Sequence, residues 1–210
     1  MGIDATTVLL VAVLIVSVVV HEVAHGLVAD RLGDDTARRA GRLTLNPIRH
    51  LDPFGSLVLP LLGALGGVPF GYAKPVPVRP SRLRSPRRDL VLVALAGPAS
   101  NLVLCVIGAV VARVTLPRGR FVDLWEDLPA LTQVAFAFTL VNLFLAILNI
   151  LPIPPLDGSR MVEYFLPAKR LPAWNRLAPY GFLVVFALVL SGALDVVYNP
   201  AIDVILEFID

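Results

Sequence analysis

The most distinctive chemical feature of the chain is a pair of histidines four residues apart, in the sequence HEVAH at residues 21–25. In an α-helix, positions four apart are separated by about 400°, so His21 and His25 project from one face, one turn apart. Two imidazoles so placed can bind one zinc ion, and Glu22 can accept a proton from a water molecule that the metal activates. The motif therefore predicts a helical zinc site with hydrolytic chemistry.

A catalytic zinc site uses three protein ligands and keeps one position open. The third ligand is either His50 or a carboxylate, and the best carboxylate is Asp157, in NILPIPPLDG at residues 149–158. The prolines of this segment break the preceding helix and allow Asp157 to turn back toward the metal. Alternatively, Asp157 caps a short helix that begins near Ser159. The Asn149 amide either stabilises an oxyanion or satisfies backbone groups that the prolines leave unpaired.

Composition places these residues in a membrane. The 210 residues are 57% hydrophobic and 16% charged, and the mean hydropathy is +0.79, so the apolar surface exceeds what one water-soluble core can bury. A spanning helix needs roughly 20 apolar residues, so the length allows about four spans. Apolar segments predict these spans at residues 6–30, 90–114, 128–151 and 178–197.

The HEVAH motif lies inside the first predicted span, where charged groups are costly. Each ionisable residue costs at least about 2.5 to 3.5 kcal/mol on the insertion scale, so three together need a compensating role. A bound cation supplies that role. The single cysteine, Cys105, excludes a disulfide framework and a cysteine zinc site.

The apolar segment 54–67 is too short to cross a membrane comfortably, since its 14 residues would rise only about 21 Å as a helix. Basic residues flank it on both sides, and such flanks prefer the cytoplasm. We therefore predict a membrane-embedded hairpin at about residues 43–78. The first span then runs from outside to inside, and HEVAH and Asp157 both lie near the cytoplasmic side.

Five segments, taken together, resemble the site-2 protease family of intramembrane zinc metalloproteases (peptidase M50). The resemblance extends over most of the chain and is to the compact form of the family, without an appended PDZ or CBS domain. The segments are HEVAH at 21–25, LNPIRHLDPFGSLVLP at 45–60, AKPVPV at 73–78, LAGPASN at 95–101 and NILPIPPLDG at 149–158.

The resemblance implies one Zn²⁺ per chain, held by His21, His25 and Asp157, with Glu22 as the catalytic base and Asn149 assisting at the oxyanion or in substrate positioning. It also implies that AKPVPV is an edge strand for an unwound substrate. The implied fold is an all-α polytopic membrane protein with about four transmembrane helices and an embedded hairpin containing short β-strands.

Three features are interpreted mainly in structural terms: LAGPASN, His50 and the Arg-rich stretch at residues 79–88. LAGPASN is interpreted as a packing surface, in which small residues allow close helix approach and Asn101 hydrogen-bonds across helices. His50 is either a hydrogen-bonded histidine of the hairpin or a ligand. The Arg-rich stretch at residues 79–88 adjoins a span and is interpreted as a contact with anionic lipid and a topology anchor, so nucleic-acid binding is not predicted.

Taken together, the sequence predicts a single domain, residues 1–210, that cleaves peptide bonds in or near transmembrane segments of other membrane proteins, as in regulated intramembrane proteolysis. Its expected partners are transmembrane protein substrates and the lipid bilayer. The expected location is the cell membrane, with several passes and the active site near the cytoplasmic side. The alternatives are a metal-ion transporter and a non-catalytic scaffold that binds membrane helices.

Overall fold

The computed structural model describes residues 4–50, 74–116 and 127–210, and these ranges are mostly helical. Short 3-10 helices occupy Pro47–Arg49, Pro80–Arg82 and Ala168–Arg170, and no β-strand occurs in the described ranges. The α-helices are α1 (Ala5–Arg31), α2 (Thr36–Arg39), α3 (Pro86–Thr115), α4 (Ala130–Ile150), α5 (Ser159–Phe165), α6 (Leu171–Asn175), α7 (Ala178–Leu190) and α8 (Asp195–Ile209).

Three of these helices, α1, α3 and α4, are long and apolar enough to cross a membrane. A fourth crossing is formed if residues 168–175 and α7, which are bent by 61° relative to each other, are counted as one span. Many large apolar side chains lie exposed on the outside of these helices. Lipid, unlike water, accommodates such a surface, so the chain is an integral membrane protein of helical class.

Local sequence explains where α3 begins and where α4 ends. Pro86 occupies the first turn of α3, where its missing N–H is no loss, and the Asp89 carboxylate accepts a hydrogen bond from the Ser85 N–H at 2.8 Å. Helix α4 ends at Ile150 because Pro152 follows within two residues and the helix cannot continue through it. The candidate ligand Asp157 lies in the loop after this end.

The centre of the bundle is polar. Helix α3 packs against both α1 and α4, and α1 also packs against α4. Four side chains inside these contacts are fully buried: Ser17, Asn101, Thr139 and Asn142. Because lipid and the helices' lipid-facing side chains are equally apolar, helix association in a membrane depends on close packing and on hydrogen bonds between helices. The interior therefore supplies the polar groups that surround the site.

The last apolar segment differs from its prediction. The sequence predicts one span at residues 178–197, whereas α7 ends at Leu190 and α8 begins at Asp195, with Gly192 between them at φ +70°. A positive φ is readily adopted only by glycine, so the break is encoded locally. Helix α8 packs on α4, where the Tyr198 hydroxyl donates to the Leu140 carbonyl at 3.1 Å.

The predicted hairpin at about residues 43–78 lies largely outside the described residues, because 51–73 are not among them. Its described flanks are the 3-10 helix Pro47–Arg49 and residues 74–79, a segment without helix or strand that we call the proline strap. Its prolines favour an extended backbone. The strap contains Pro75 and Pro77 and forms no strand pairing with other described residues. The short β-strands expected in the hairpin are therefore not supported by the described part of the chain.

Candidate metal centre

The side chains of His21 and His25 in α1 converge with that of Asp157, which is distant in sequence. His21 Nε2 lies 3.0 Å and His25 Nε2 lies 3.3 Å from Asp157 Oδ2, and the two Nε2 atoms are 3.0 Å apart. Two ligands of one tetrahedral zinc ion, each bound at roughly 2.0 to 2.1 Å, lie about 3.3 Å apart. The three ligand atoms are therefore spaced to hold a single metal ion.

The protonation of these groups favours a cation between them. His25 Nδ1 lies 2.6 Å from the Val93 carbonyl oxygen, which can only accept, so Nδ1 carries a proton and leaves Nε2 available to present a lone pair to a metal ion. Asp157 Oδ2 is buried and has no hydrogen-bond donor among the described residues. Acceptors that converge in a buried space are unfavourable unless a positive charge compensates them, and His₂–carboxylate is an established zinc donor set.

The loop after α4 positions Asp157. Its backbone folds back on the helix end, where the Gly158 N–H donates to the Asn149 carbonyl at 2.7 Å. A Cβ atom added at Gly158 would lie 2.1 Å from the Ile150 carbonyl oxygen, so only glycine permits this close return. Helix α5 does begin at Ser159, but its N-cap residue is Gly158. The Asp157 carboxylate faces the histidines, so the alternative role as a helix cap is not supported.

Helix α3 contacts both histidines. His21 Nδ1 lies 2.6 Å from Asn101 Oδ1, which confirms the prediction that Asn101 hydrogen-bonds across helices. A Cβ atom added at Gly97 would lie 2.5 Å from atoms of both the His21 and His25 rings. LAGPASN was interpreted as a packing surface, and the histidine rings were not predicted as the partners of Gly97 and Asn101. The available signal was that Gly97 and Asn101 are one helical turn apart.

We expect Gly97→Ala to weaken zinc binding at least about 10-fold, because the added methyl group displaces both imidazoles from their present positions, as loss of outer support does at other zinc sites. The measurement is a competition titration of the detergent-solubilised protein with a chromophoric zinc chelator. Gly108→Ala is the matched control. Its added Cβ would likewise crowd a neighbouring helix, at 2.6 Å from Thr139 Oγ1 of α4, but it lies far from the histidines. Equal loss in both variants would attribute the effect to helix separation instead.

Glu22 lies beside the histidines and contacts the proline strap. Its Oε2 accepts a hydrogen bond from the Val76 N–H at 2.7 Å. Val76 is the only strap residue between Pro75 and Pro77, neither of which has an N–H. One carboxylate oxygen of Glu22 is therefore oriented by the strap, while the other is not engaged by this bond.

Side chains near the end of α1 hold the strap in place. Arg42 Nη2 donates to the Lys74 carbonyl at 2.6 Å, and Asp34 accepts from the Arg79 N–H at 2.5 Å. Burial of the Asp34 carboxylate by itself raises its pKa, but hydrogen bonds from Thr36 and the Arg79 amide outweigh burial and hold the pKa below its usual range. Asp34 is thus ionised at neutral pH, which strengthens its hold on the strap.

The two other predicted site residues do not reach the trio. The Asn149 amide donates to the Leu145 carbonyl of its own helix at 2.9 Å. His50 is buried with Nε2 2.8 Å from the Thr44 carbonyl oxygen, which favours its role as a hydrogen-bonded histidine over that of a ligand. The structure therefore brings together His21, His25 and Asp157, while the catalytic roles of Glu22 and Asn149 stay predictions.

Comparison with known proteins identifies the family of the chain. The chain matches the sequence model described as "Peptidase family M50" over residues 9–130 and 124–192. It is 41% identical over 206 residues to "Putative zinc metalloprotease YwhC" of Bacillus subtilis, an alignment that covers 92% of this chain and 85% of that protein.

Mycobacterial proteins are also similar. "Putative zinc metalloprotease Rip2" of Mycolicibacterium smegmatis is 34% identical over 190 residues, which are 90% of this chain and 69% of that protein. The protein of the same name from Mycobacterium tuberculosis is 37% identical over 186 residues, covering 87% and 66%. No solved structure is significantly similar to the chain. Both matched regions of the family model include candidate ligands, His21 and His25 in the first and Asp157 in the second, and the chain belongs to peptidase family M50.

Proposed function

We propose that this chain is an intramembrane zinc-dependent endopeptidase that hydrolyses peptide bonds in or near transmembrane segments of other membrane proteins. The observation that carries the proposal is the convergence of His21, His25 and Asp157 inside a bundle whose outer surface is apolar. Metal ligands in such a position are reached by a substrate that itself lies in the membrane. The proposal extends to residues 1–210 as one intramembrane protease domain.

The trio would hold one Zn²⁺ per chain. When bound, this ion lowers the pKa of a coordinated water molecule and polarises the peptide carbonyl of the substrate. Glu22 follows His21 in α1 and accepts the proton of the attacking water, then returns it to the leaving amine. The bond from the Val76 N–H restricts the Glu22 carboxylate to one orientation, so less entropy is lost at the moment of proton transfer.

Asn149 is proposed to assist at the oxyanion or in positioning the substrate. Its amide is at present bonded to the Leu145 carbonyl, so this role requires a side-chain rotation when substrate binds. A donor aimed at the developing charge is worth about 2.7 to 4 kcal/mol in comparable enzymes. Such a gain exceeds the cost of one exchanged hydrogen bond, which is about 0.5 to 1.5 kcal/mol.

The substrate has to bind as an extended chain, because a helical backbone shields its own carbonyls. The proline strap offers an extended partner beside Glu22. One edge of the strap carries Pro75 and Pro77, which have carbonyl oxygens but no N–H groups. An unwound substrate adding to this edge would therefore donate its own N–H groups, in the manner of strand addition. Helix-weakening residues near the cleavage site are expected in substrates.

We also propose that the protein resides in the cell membrane with its active site near the cytoplasmic side. Basic residues are concentrated near the inner end of α1 and the start of α3, including Arg31, Arg38, Arg39, Arg87 and Arg88, and such clusters favour the cytoplasmic face. The metal-transporter alternative predicts several weak sites along a path. Among the described residues, one cluster of His, Cys, Asp and Glu side chains can hold an ion, which favours a reaction centre.

The proposal is tested by comparing membrane proteomes of host cells that carry either the wild-type chain or Glu22→Gln. We expect one or a few full-length single-span proteins to accumulate only with the variant, and these are the substrates. Identical proteomes across several stress conditions would contradict the protease assignment. Zinc content and metal flux in vesicles would then be measured to examine the transporter alternative.

A further inference from the structure

A continuous chain of hydrogen bonds leads from His21 into the centre of the bundle. His21 Nδ1 lies 2.6 Å from Asn101 Oδ1, and Asn101 Nδ2 donates to Asn142 Oδ1 at 2.8 Å. Asn142 Nδ2 in turn lies 2.8 Å from Ser17 Oγ and 2.9 Å from the Phe138 carbonyl oxygen. Ser17, Asn101 and Asn142 are all fully buried. The chain joins α1, α3 and α4 and contains no water-exposed member.

The last acceptor gives this chain a direction. The Phe138 carbonyl can only accept, so the Asn142 atom facing it is the NH₂ group, and Asn142 presents its oxygen to Asn101. Asn101 must then present its own NH₂ group to Asn142 and its oxygen to His21. Facing an oxygen without a proton, His21 Nδ1 must donate. A neutral His21 with its proton on Nδ1 presents the Nε2 lone pair toward His25 and Asp157.

His25 obtains the same tautomer by a shorter route, because its Nδ1 lies 2.6 Å from the Val93 main-chain carbonyl. His21 lies beside α3 at Asn101, where a side chain rather than a main-chain carbonyl is the partner. An amide side chain can present either end, so it specifies a tautomer only when something else fixes its orientation. Asn142 performs that task for Asn101.

We propose that Asn101 and Asn142 form a two-residue relay that sets the tautomer and ring orientation of His21, and so prepare the ring for a metal ion. Asn101 and Asn142 are positioning residues, since Asn101 touches only the far nitrogen of a candidate ligand and Asn142 touches no ligand. The relay rests on the zinc site of the proposed function. It adds that two residues of α3 and α4 control how strongly that site binds metal.

The test measures metal affinity rather than proteolysis. Asn101→Leu removes the acceptor for His21, and outer partners of zinc-bound histidines are worth about 10- to 100-fold in affinity, so we expect a loss in that range. Asn101→Asp keeps an oxygen facing Nδ1 but loses the donor to Asn142, so it should lose less affinity than Asn101→Leu. Asn142→Leu should weaken binding less than Asn101→Leu, because Asn101 keeps its bond to His21 but loses its fixed orientation.

Thr139→Val is the matched control. Thr139 is equally buried on α4, about one turn from Asn142, and its hydroxyl donates to the Ala135 carbonyl of its own helix, outside the relay. Zinc affinity is measured by chelator competition in detergent, and the ligand field is read from the absorption of the Co²⁺-loaded protein. We expect Thr139→Val to bind like wild type, and Asn101→Leu to alter both the affinity and the Co²⁺ spectrum.

The outcomes separate the relay from the function on which it rests. If the wild-type chain binds zinc and Asn101→Leu binds it as tightly as Thr139→Val does, the relay is overturned and the protease proposal stands. Equal weakening by Asn101→Asp and Asn101→Leu would also overturn it, since the acceptor would then be irrelevant. A wild-type chain that binds no zinc would overturn the metal centre itself. Weakened zinc binding by Asn101→Leu, together with no cleavage by the wild-type chain, would support the relay and contradict only the proposed reaction.

Discussion

Glu22→Gln will abolish peptide hydrolysis and leave zinc binding at the wild-type level. The substitution keeps the size of the side chain and an oxygen that can accept from the Val76 N–H, so the strap and α1 should keep their arrangement. The amide cannot take a proton from water, and loss of a general base typically costs about 10²- to 10⁴-fold in rate. Turnover of a single-span substrate in liposomes and metal content by elemental analysis provide the two measurements.

A matched control distinguishes loss of the base from loss of a charge. Glu163→Gln makes the same chemical change on α5, where Glu163 pairs with Arg160 at 2.7 Å and faces no metal ligand. We expect this variant to retain cleavage. If Glu22→Gln retained cleavage as well, Glu22 would not be the base, although the trio of His21, His25 and Asp157 would be unaffected by that result.

Asp157→Ala will remove high-affinity zinc binding. This carboxylate is the member of the trio that comes from outside α1, and its loss leaves two imidazoles one helical turn apart. Removing a metal ligand should weaken zinc binding more than removing a residue that only hydrogen-bonds to a ligand. We therefore expect a loss of more than about 100-fold in affinity. Chelator competition measures this loss, and cleavage should disappear with it.

Asp195→Ala is the corresponding control, because Asp195 is an exposed aspartate in the first turn of α8 and lies outside the trio. Asp157→His should recover part of the zinc affinity, since imidazole is also a zinc ligand. Retention of wild-type affinity in Asp157→Ala would show that another residue completes the site. His50, the alternative ligand in the sequence analysis, would be substituted next.

The fixed positions of the ligand atoms explain why zinc affinity should respond strongly to substitutions in the trio. His25 Nε2 and Asp157 Oδ2 are acceptors brought within 3.3 Å of each other in a buried space. Their hydrogen-bonded supports, the Val93 carbonyl and the loop folded at Gly158, hold them there. Because these supports fix the ligand atoms, little conformational freedom is lost when a cation binds.

Several features of the site follow from the sequence by itself. The four-residue spacing places His21 and His25 on one face of any α-helix, whatever surrounds that helix. A long apolar stretch around the motif predicts a membrane helix, because the length and polarity of the bilayer core impose this on any chain. The prolines at residues 152–155 end α4 and introduce a loop, since proline lacks the N–H that a helix requires.

Other features depend on how the helices rotate and pack against one another. Lipid-facing and interior surfaces of a membrane helix are both mostly apolar, with only a few polar residues inside, so hydropathy does not determine which side of α3 faces the histidines. The contacts of Gly97 and Asn101 with the rings, and the Val76 N–H at Glu22, were therefore not predicted. The break at Gly192 was also missed, because a hydropathy pattern measures polarity and not backbone direction.

The third metal ligand shows most clearly what sequence determines and what tertiary structure decides. The residue types and the proline-rich context indicated Asp157 as the third ligand, but a choice between Asp157 and His50 required distances. Only the folded chain brings Asp157 Oδ2 to 3.0 Å from His21 Nε2. In the same structure His50 Nε2 lies within hydrogen-bond distance of the Thr44 carbonyl oxygen instead. Sequence determines which groups can bind a metal and which of them share a helix face. Tertiary structure decides which distant groups meet, because that depends on helix rotation and on where a loop returns.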